Sequence, residues 1–258
     1  MRLKDQVILV TGSTTGIGEA IARRAWEEGA SVMLHSRDAD RGLAIAAELG
    51  PRARFVLGDL ADSEVPRRLI EATVAAFDGV DAIVNNAAWV VRSDIHTTDV
   101  ALFDKVIATN VRAPLLLIQA ALAHLQKSRG CVLNIGSMNA YTGESNLLAY
   151  SVSKGALLTL SRNLADALCY DGVRINHFNV GWVLTPNEYE YKLRDGLPPN
   201  WPEMVPAQFA PSGRLMKPEE IAAAAVYWLS DESRPISGRV VDLEQYPFIG
   251  RNPTKKGE

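Results

Sequence analysis

Short runs rich in β-branched residues recur along the chain at positions 7–10, 31–34, 54–57, 82–84, 131–135, 174–178 and 239–243. Runs of this length and β-branched content predict strands. Between these runs lie longer stretches with apolar residues at helical spacing: 17–28, 41–49, 64–77, 100–126, 149–170 and 219–230. Strictly alternating strands and helices predict an α/β fold, a seven-stranded parallel sheet with helices on both faces, because parallel neighbours need a crossover and that crossover is right-handed. Gly29 and Gly50-Pro51 punctuate the ends of predicted helices, and Pro218 followed by Glu219-Glu220 opens another.

Two segments escape this alternation. Residues 186–217 are rich in proline and aromatics, and a connection of that length inside a compact domain is expected to be a substrate lid or binding loop. The other is the C-terminal tail, 244–258. No linker, repeat or low-complexity block divides the 258 residues, so a single domain spanning 1–258 is expected.

Composition narrows the partners. With 47% hydrophobic and 22% charged residues the chain can bury a large core, and a net charge of −3 offers no long-range attraction for nucleic acid or anionic lipid. A small-molecule substrate is expected. The apolar stretches 115–125 and 221–229 are interrupted or too short to span a bilayer and read as buried helices. The opening Met1-Arg2-Leu3 runs toward the first strand without the pattern of a cleaved signal, so a cytoplasmic protein is expected, with Cys131 and Cys169 as reduced, buried thiols.

The first strand ends in Thr11-Gly12-Ser13-Thr14-Thr15-Gly16-Ile17-Gly18 and passes directly into a helix. Glycine allows a sharp turn and close approach of backbone N–H groups to a pyrophosphate, while the helix N-terminus adds unpaired donors and positive potential. Farther along, Tyr150 and Lys154 stand at i and i+4 of a helical pattern and share one face. A phenol of ordinary pKa about 10 is a poor base at neutral pH; an ammonium beside it stabilises the phenolate, so Lys154 tunes and Tyr150 transfers the proton. Ser137 closes the fifth predicted strand, at the carboxyl edge where such sheets bind ligands, and its hydroxyl can hold a substrate oxygen. Asn110 lies inside the long helical stretch, where a polar residue is mildly unfavourable.

Together with Asn85-Asn86-Ala87, Gly181-Trp182-Val183-Leu184-Thr185 and Ser212-Gly213-Arg214, these motifs resemble the classical short-chain dehydrogenase/reductase family over nearly the whole chain. The resemblance implies a single Rossmann-like, doubly wound domain and an NAD(P)-dependent oxidoreductase that interconverts a secondary alcohol and a carbonyl by hydride transfer. It implies a catalytic set of Asn110, Ser137, Tyr150 and Lys154, with Asn110 perturbing its helix and linking Lys154 to solvent protons. It assigns cofactor contacts to Gly12, Thr14, Thr15, Gly16, Ile17 and Gly18, to Ser36, Arg37, Asp59 and Leu60, to Asn86 and Ala87, and to Tyr150, Lys154, Gly181, Val183 and Thr185. Ser36 stands where the family's NAD-selecting carboxylate would lie, and Arg37 can pair with a 2′-phosphate, so NADP is favoured over NAD. The resemblance also implies a homo-oligomer, a tetramer ahead of a dimer.

Three departures from the family pattern stand out. Ala88 follows Asn85-Asn86-Ala87 where glycine is usual, Val180 replaces a proline before Gly181, and Asp242-Leu243-Glu244-Gln245 replaces the usual Asp-Gly-Gly. Ser137, Asn139, Tyr150, Trp182 and Glu188 are the expected substrate contacts. Hydrogen-bonding side chains among aromatics suit a sugar or polyol; a 3-oxoacyl thioester reductase and a non-catalytic NADP-binding sensor are the alternatives. No metal site is expected, because His35, His96, His124 and His177 lack ligand spacing.

Overall fold

The structure is a computed structural model that describes residues 1–247; the rest of the expected C-terminal tail, 248–258, lies outside the described residues. Seven parallel strands form one sheet in the order β3-β2-β1-β4-β5-β6-β7. They are β1 (Val7–Thr11), β2 (Ser31–Ser36), β3 (Ala53–Leu57), β4 (Ala82–Asn85), β5 (Cys131–Ile135), β6 (Arg174–Val180) and β7 (Val240–Leu243). The strand order reverses between β1 and β4, which opens a crevice at the carboxyl ends of those strands.

The helices are α1 (Gly16–Glu27), α2 (Ala39–Leu49), α3 (Val65–Phe77), α4 (Val100–Ile107), α5 (Ala113–Ser128), α6 (Asn139–Thr142), α7 (Leu148–Ala167), α8 (Pro186–Arg194) and α9 (Pro218–Leu229). Strand side chains alternate between two cores. Ile8, Val10, Val32, Leu34, Val84 and Leu133 meet α1, α2 and α9 through residues such as Ile21, Ile45 and Ile221. Leu9, Met33, Ile83, Val132 and Ile175 meet α3, α5 and α7 through Leu69, Leu117, Ile118 and Ala165. Burial on both faces explains why the inner strands β1, β2, β4 and β5 read as largely apolar runs, while the edge strands β3 and β7 are partly exposed.

The structure departs from the sequence pattern in four places. β6 continues to Val180, which pairs in register with Leu243 of β7 and accepts the Met138 amide at 3.1 Å, while the next amide, of Gly181, donates to Leu243 at 2.8 Å. The long stretch 100–126 is two helices joined by a π-helical turn, Ala108–Arg112. As a whole, Val100–Ser128 is long and apolar enough to cross a bilayer by composition, but it packs its apolar side into the second core. Segment 186–217, read as irregular, contains α8, whose N-cap Thr185 accepts a hydrogen bond from the Glu188 amide. Finally, α7 stops at Ala167, and Cys169 sits in a following 3-10 turn, exposed rather than buried; Cys131 is buried as expected.

Candidate active site

The glycine turn occupies the crevice beside β1. Gly12 and Gly16 adopt φ of 62° and 56°, the left-handed region that side chains disfavour. A Cβ on Gly18 would lie 2.2 Å from the Gly12 carbonyl oxygen, so only glycine lets α1 start this close to the turn. Asn86 clamps the turn from β4: its Nδ2 donates to the carbonyls of Thr11 (2.9 Å) and Gly12 (3.1 Å). In return, Thr11 Oγ1 accepts from the amides of Asn86 (3.0 Å) and Ala87 (3.1 Å).

His35, at the end of β2, is a second brace that sequence reasoning treated only as a non-ligand. The Gly12 amide donates to its Nδ1 at 3.4 Å, which leaves Nε2 protonated to donate to the Gly58 carbonyl at 3.1 Å. Burial pushes the imidazole down to about 4, so it stays neutral. At the α1 N-terminus, Thr15 caps nothing, and its Oγ1 is buried with no hydrogen-bond partner among the described residues. A left-handed glycine cradle beside an unused buried hydroxyl and free helix-terminal amides fits a dinucleotide pyrophosphate. The β6 turn faces the same cradle, since a Cβ on Gly16 would come 3.1 Å from Thr185 Cγ2. Val183 is buried in the first core behind it.

On the far side of the crevice, Ser36 is nearly buried and its Oγ bonds both the carbonyl and the amide of Asp38. Arg37 beside it is exposed. Asp59 accepts from the Ala61 amide at 3.0 Å, and Leu60 is buried in the second core.

Ser137, Tyr150 and Lys154 converge at the carboxyl end of β5. Lys154 is 3% exposed, donates from Nζ to the Ile135 carbonyl at 2.7 Å, and lies 5.5 Å from the centre of the Tyr150 ring. Burial lowers its ammonium to about 8. Burial also pushes the Tyr150 phenol up to about 12; a hydrogen bond with Ser137 works against this, while the charges of Glu188 and Glu144 add to it.

Asn110 sits in the π turn, almost wholly buried. Its Oδ1 accepts from the Trp89 amide at 2.7 Å, and its Nδ2 donates to the Trp89 carbonyl (3.2 Å) and Ser153 Oγ (2.9 Å). Ser153 in turn donates to the Tyr150 carbonyl at 2.6 Å. The Asn110 side chain therefore joins the loop after β4 to α7, through a serine that sequence reasoning missed, and does not bond Lys154 directly. The only signal for Ser153 was its place between Tyr150 and Lys154.

Beneath this set runs a buried chain of polar side chains. Asn85 donates to Asn134 (2.8 Å), Asn134 to Ser161 (2.8 Å), and Ser161 meets His177 Nδ1 at 2.9 Å. His177 Nε2 meets Asn179 Oδ1 at 3.1 Å, and Asn179 donates to Asp242 at 3.2 Å. Because Asn179 turns its amide nitrogen to Asp242, its oxygen faces His177, which must carry the proton on Nε2.

The wall over Tyr150 comes from α8 and the loops around it. Trp182 Nε1 donates to Glu188 at 2.8 Å, and the Trp182 ring stacks on Trp201 with centroids 5.9 Å apart. Lys192 lies over the Trp182 ring and 3.7 Å from the Glu188 carboxylate. Asn139 donates to Glu144 at 3.2 Å. An Arg92–Asp195 ion pair at 2.6 Å and a hydrogen bond from the Tyr191 hydroxyl to the Val90 carbonyl fasten α8 across the cleft.

A doubly wound sheet with a glycine cradle at its switch point, and a buried lysine beside a tyrosine and a serine, defines a dinucleotide-binding oxidoreductase. Comparison with known proteins agrees. A family model described as enoyl-(acyl carrier protein) reductase matches residues 12–244. L-fucose dehydrogenase of Mus musculus is 32% identical over 231 residues, covering 89% of this chain and 84% of that protein. The NADP-dependent (R)-specific alcohol dehydrogenase of Lentilactobacillus kefiri is 33% identical over 244 residues, covering 92% and 94%. The crystal structure of 3-ketoacyl-(acyl-carrier-protein) reductase from Brucella melitensis, complexed with NADH, superposes with a TM-score of 0.82 at 28% identity, covering 93% of this chain and 97% of that one. The chain belongs to the short-chain dehydrogenase/reductase family. It is a nicotinamide-dependent oxidoreductase that acts on CH–OH groups of small molecules, interconverting alcohol and carbonyl by hydride transfer.

Proposed function

We propose that the substrate is a sugar or polyol and that Tyr150 is its proton-transferring residue, with Ser137, Lys154 and Asn110 completing the catalytic set. The observation that carries the reading is the convergence of Ser137, Tyr150 and buried Lys154 under a wall of Trp182 and Glu188. Ser137 and Tyr150 hold the substrate oxygen, and Tyr150 takes the hydroxyl proton in oxidation or returns it in reduction. Lys154, fixed on the Ile135 carbonyl, keeps a positive charge near the phenol and would hold the nicotinamide ribose of a bound cofactor. Asn110 holds α7 in register with the loop after β4. The nicotinamide, when bound, accepts or supplies the hydride.

The charges of Glu188 and Glu144 reach Tyr150, and each carboxylate is itself paired, Glu188 with Lys192 at 3.7 Å and Glu144 with Arg92 at 3.6 Å. An indole face with a carboxylate at its edge suits a neutral sugar with adjacent hydroxyls. The name of the mouse relative, L-fucose dehydrogenase, supports the same class. The Brucella reductase supports the runner-up, a 3-oxoacyl thioester. Exposed Arg37 beside Ser36 favours NADP over NAD, because guanidinium matches a 2′-phosphate and serine lacks the carboxylate that grips a ribose diol. The glycine turn, Ser36, Arg37, Asp59, Leu60, Asn86, Ala87, Gly181, Val183 and Thr185 would line the cofactor; Asn139, Trp182 and Glu188 would contact substrate beneath a lid formed by 186–217. We place the enzyme in the cytoplasm as a homotetramer.

The test follows nicotinamide absorbance with NADP or NAD against sugars, polyols, simple secondary alcohols and 3-oxoacyl thioesters, with a Tyr150→Phe variant alongside. Turnover of a sugar that falls by at least about a thousandfold in the variant supports the reading. Turnover of acyl thioesters alone replaces the substrate class, and undiminished activity in the variant overturns the role of Tyr150.

A further inference from the structure

Glu244 and Gln245 stand where the family pattern has glycine and its successor at the end of the last strand, and neither has a part in the site as described so far. Both side chains are committed. The Glu244 carboxylate accepts the Trp182 amide at 3.2 Å through Oε2 and its neighbour's amide, from Gln245, at 2.7 Å through Oε1. It fills the space a side chain on Gly181 would take, since a Cβ there would lie 1.9 Å from Oε2. Gln245 accepts both the amide (3.1 Å) and the hydroxyl (2.6 Å) of Ser212, and donates to the Arg214 carbonyl at 2.7 Å.

These contacts fall on the two ends of one excursion of the chain. The backbone leaves β6 at Gly181-Trp182, runs through 186–217 and returns past Ser212 to Met216. There it closes a short pairing: the Met216 amide donates to Trp182 and the Leu184 amide to Met216. A glycine at either position of β7's end would offer no such acceptor. We infer that Glu244 and Gln245 form a clamp on both roots of this segment, a pair of positioning residues that hold the Trp182 indole against Glu188 and so set the shape of the substrate wall.

A charged acceptor strengthens a hydrogen bond to an amide partly shielded from water, and this one, at 3.2 Å, aligns the backbone from which Trp182 projects. The consequence for catalysis rests on the reading that Trp182 faces the substrate; the clamp itself does not. Two measurements on the full chain keep the two apart.

The first is amide hydrogen exchange by mass spectrometry on the wild type, Glu244→Ala, Glu244→Gln and Gln245→Ala. The Trp182 amide is expected to exchange about tenfold faster in Glu244→Ala and the Ser212 amide about tenfold faster in Gln245→Ala, with Glu244→Gln near the wild type because it retains an acceptor. Unchanged exchange in both alanine variants overturns the clamp, whatever the substrate.

The second is steady-state kinetics with whichever alcohol the wild type oxidises, beside direct titration of reduced cofactor. Glu244→Ala should raise KM about tenfold while kcat and cofactor Kd move less than about twofold, and Glu244→Gln should restore KM. Faster exchange with unchanged KM overturns the positioning role, as does an equal loss in Glu244→Gln. If Glu244→Ala does not fold, Gln245→Ala carries the same comparison at the other root.

Discussion

Lys154 donates to the carbonyl oxygen of Ile135 at 2.7 Å, which moors the end of a flexible side chain to the last residue of β5. The ammonium is buried with no carboxylate beside it among the described residues, and burial alone pulls it down to about 8 from an ordinary 10.5. Between about 8 and 10.5 the unfolded chain binds more protons than the folded one, so this group's contribution to stability rises with pH across that window and is least favourable below it. Lys154→Met should therefore abolish activity yet be more stable than the wild type at pH 7.5, by about 1–3 kcal/mol, with the gap closing toward pH 10. Urea midpoints at three pH values check this; a less stable Lys154→Met at pH 7.5 would contradict it.

His177 responds to acid. Burial pushes it down to about 3, with the nearby Lys154 charge adding to the effect. Since the unfolded imidazole titrates near 6.5, stability is lost as pH falls from about 6.5 toward 3, and His35, down to about 4, adds to the loss. His177→Asn should cost about 1–3 kcal/mol at pH 7, because Ser161 and Asn179 lose their bridge, but show a shallower decline between pH 6.5 and 4. Thermal melts across that range decide, and an unchanged slope counts against the neutral, buried histidine.

Ser153→Ala removes one of the two acceptors of Asn110 Nδ2, leaving the Trp89 carbonyl, and the hydroxyl bonded to the Tyr150 carbonyl. Leaving one N–H of this buried amide unpaired should destabilise by about 1–3 kcal/mol. A fall in kcat of about tenfold, with cofactor Kd held, is expected if this bond orients Tyr150. Loss of cofactor binding instead would place the effect in the glycine turn.

Gly18→Ala drives a methyl to within 2.2 Å of the Gly12 carbonyl and 2.3 Å of Asn86 Nδ2. The turn must open, so NADPH affinity measured by fluorescence titration should fall by at least about a hundredfold, and stability by about 1–3 kcal/mol. Binding within threefold of wild type would show that the cradle is not the phosphate site.

Arg37→Ala should lower kcat/KM with NADP by about tenfold to a hundredfold and leave NAD within about threefold, because only NADP carries the 2′-phosphate that a guanidinium can pair. Equal losses with both cofactors would remove Arg37 from the specificity argument.

Much of this architecture was legible along the chain. β5 begins and ends where its run does, at Cys131 and Ile135, because Gly130 and Gly136 bound it and burial on both faces keeps it apolar apart from Asn134. The glycine turn, Tyr150 and Lys154 were legible for a related reason: turn φ and i, i+4 proximity are local properties of neighbouring residues. Helix α8 left a local signal as well, in Thr185-Pro186 followed by Glu188, but it was masked by the prolines farther along the segment. Cys169 misled because apolar periodicity runs one turn past the end of α7, whereas exposure depends on what lies opposite.

What only the folded chain decided are contacts between residues far apart in sequence. Asn86 on the Gly12 carbonyl, Ser153 under Asn110 and Glu244 on the Trp182 amide each join elements that meet only because parallel strands are linked by crossovers. Propensity and periodicity record how a segment packs against a generic core, so they carry no trace of such a partner. A side-chain hydrogen bond between β6 and the end of β7 exists only once the sheet has set those ends side by side.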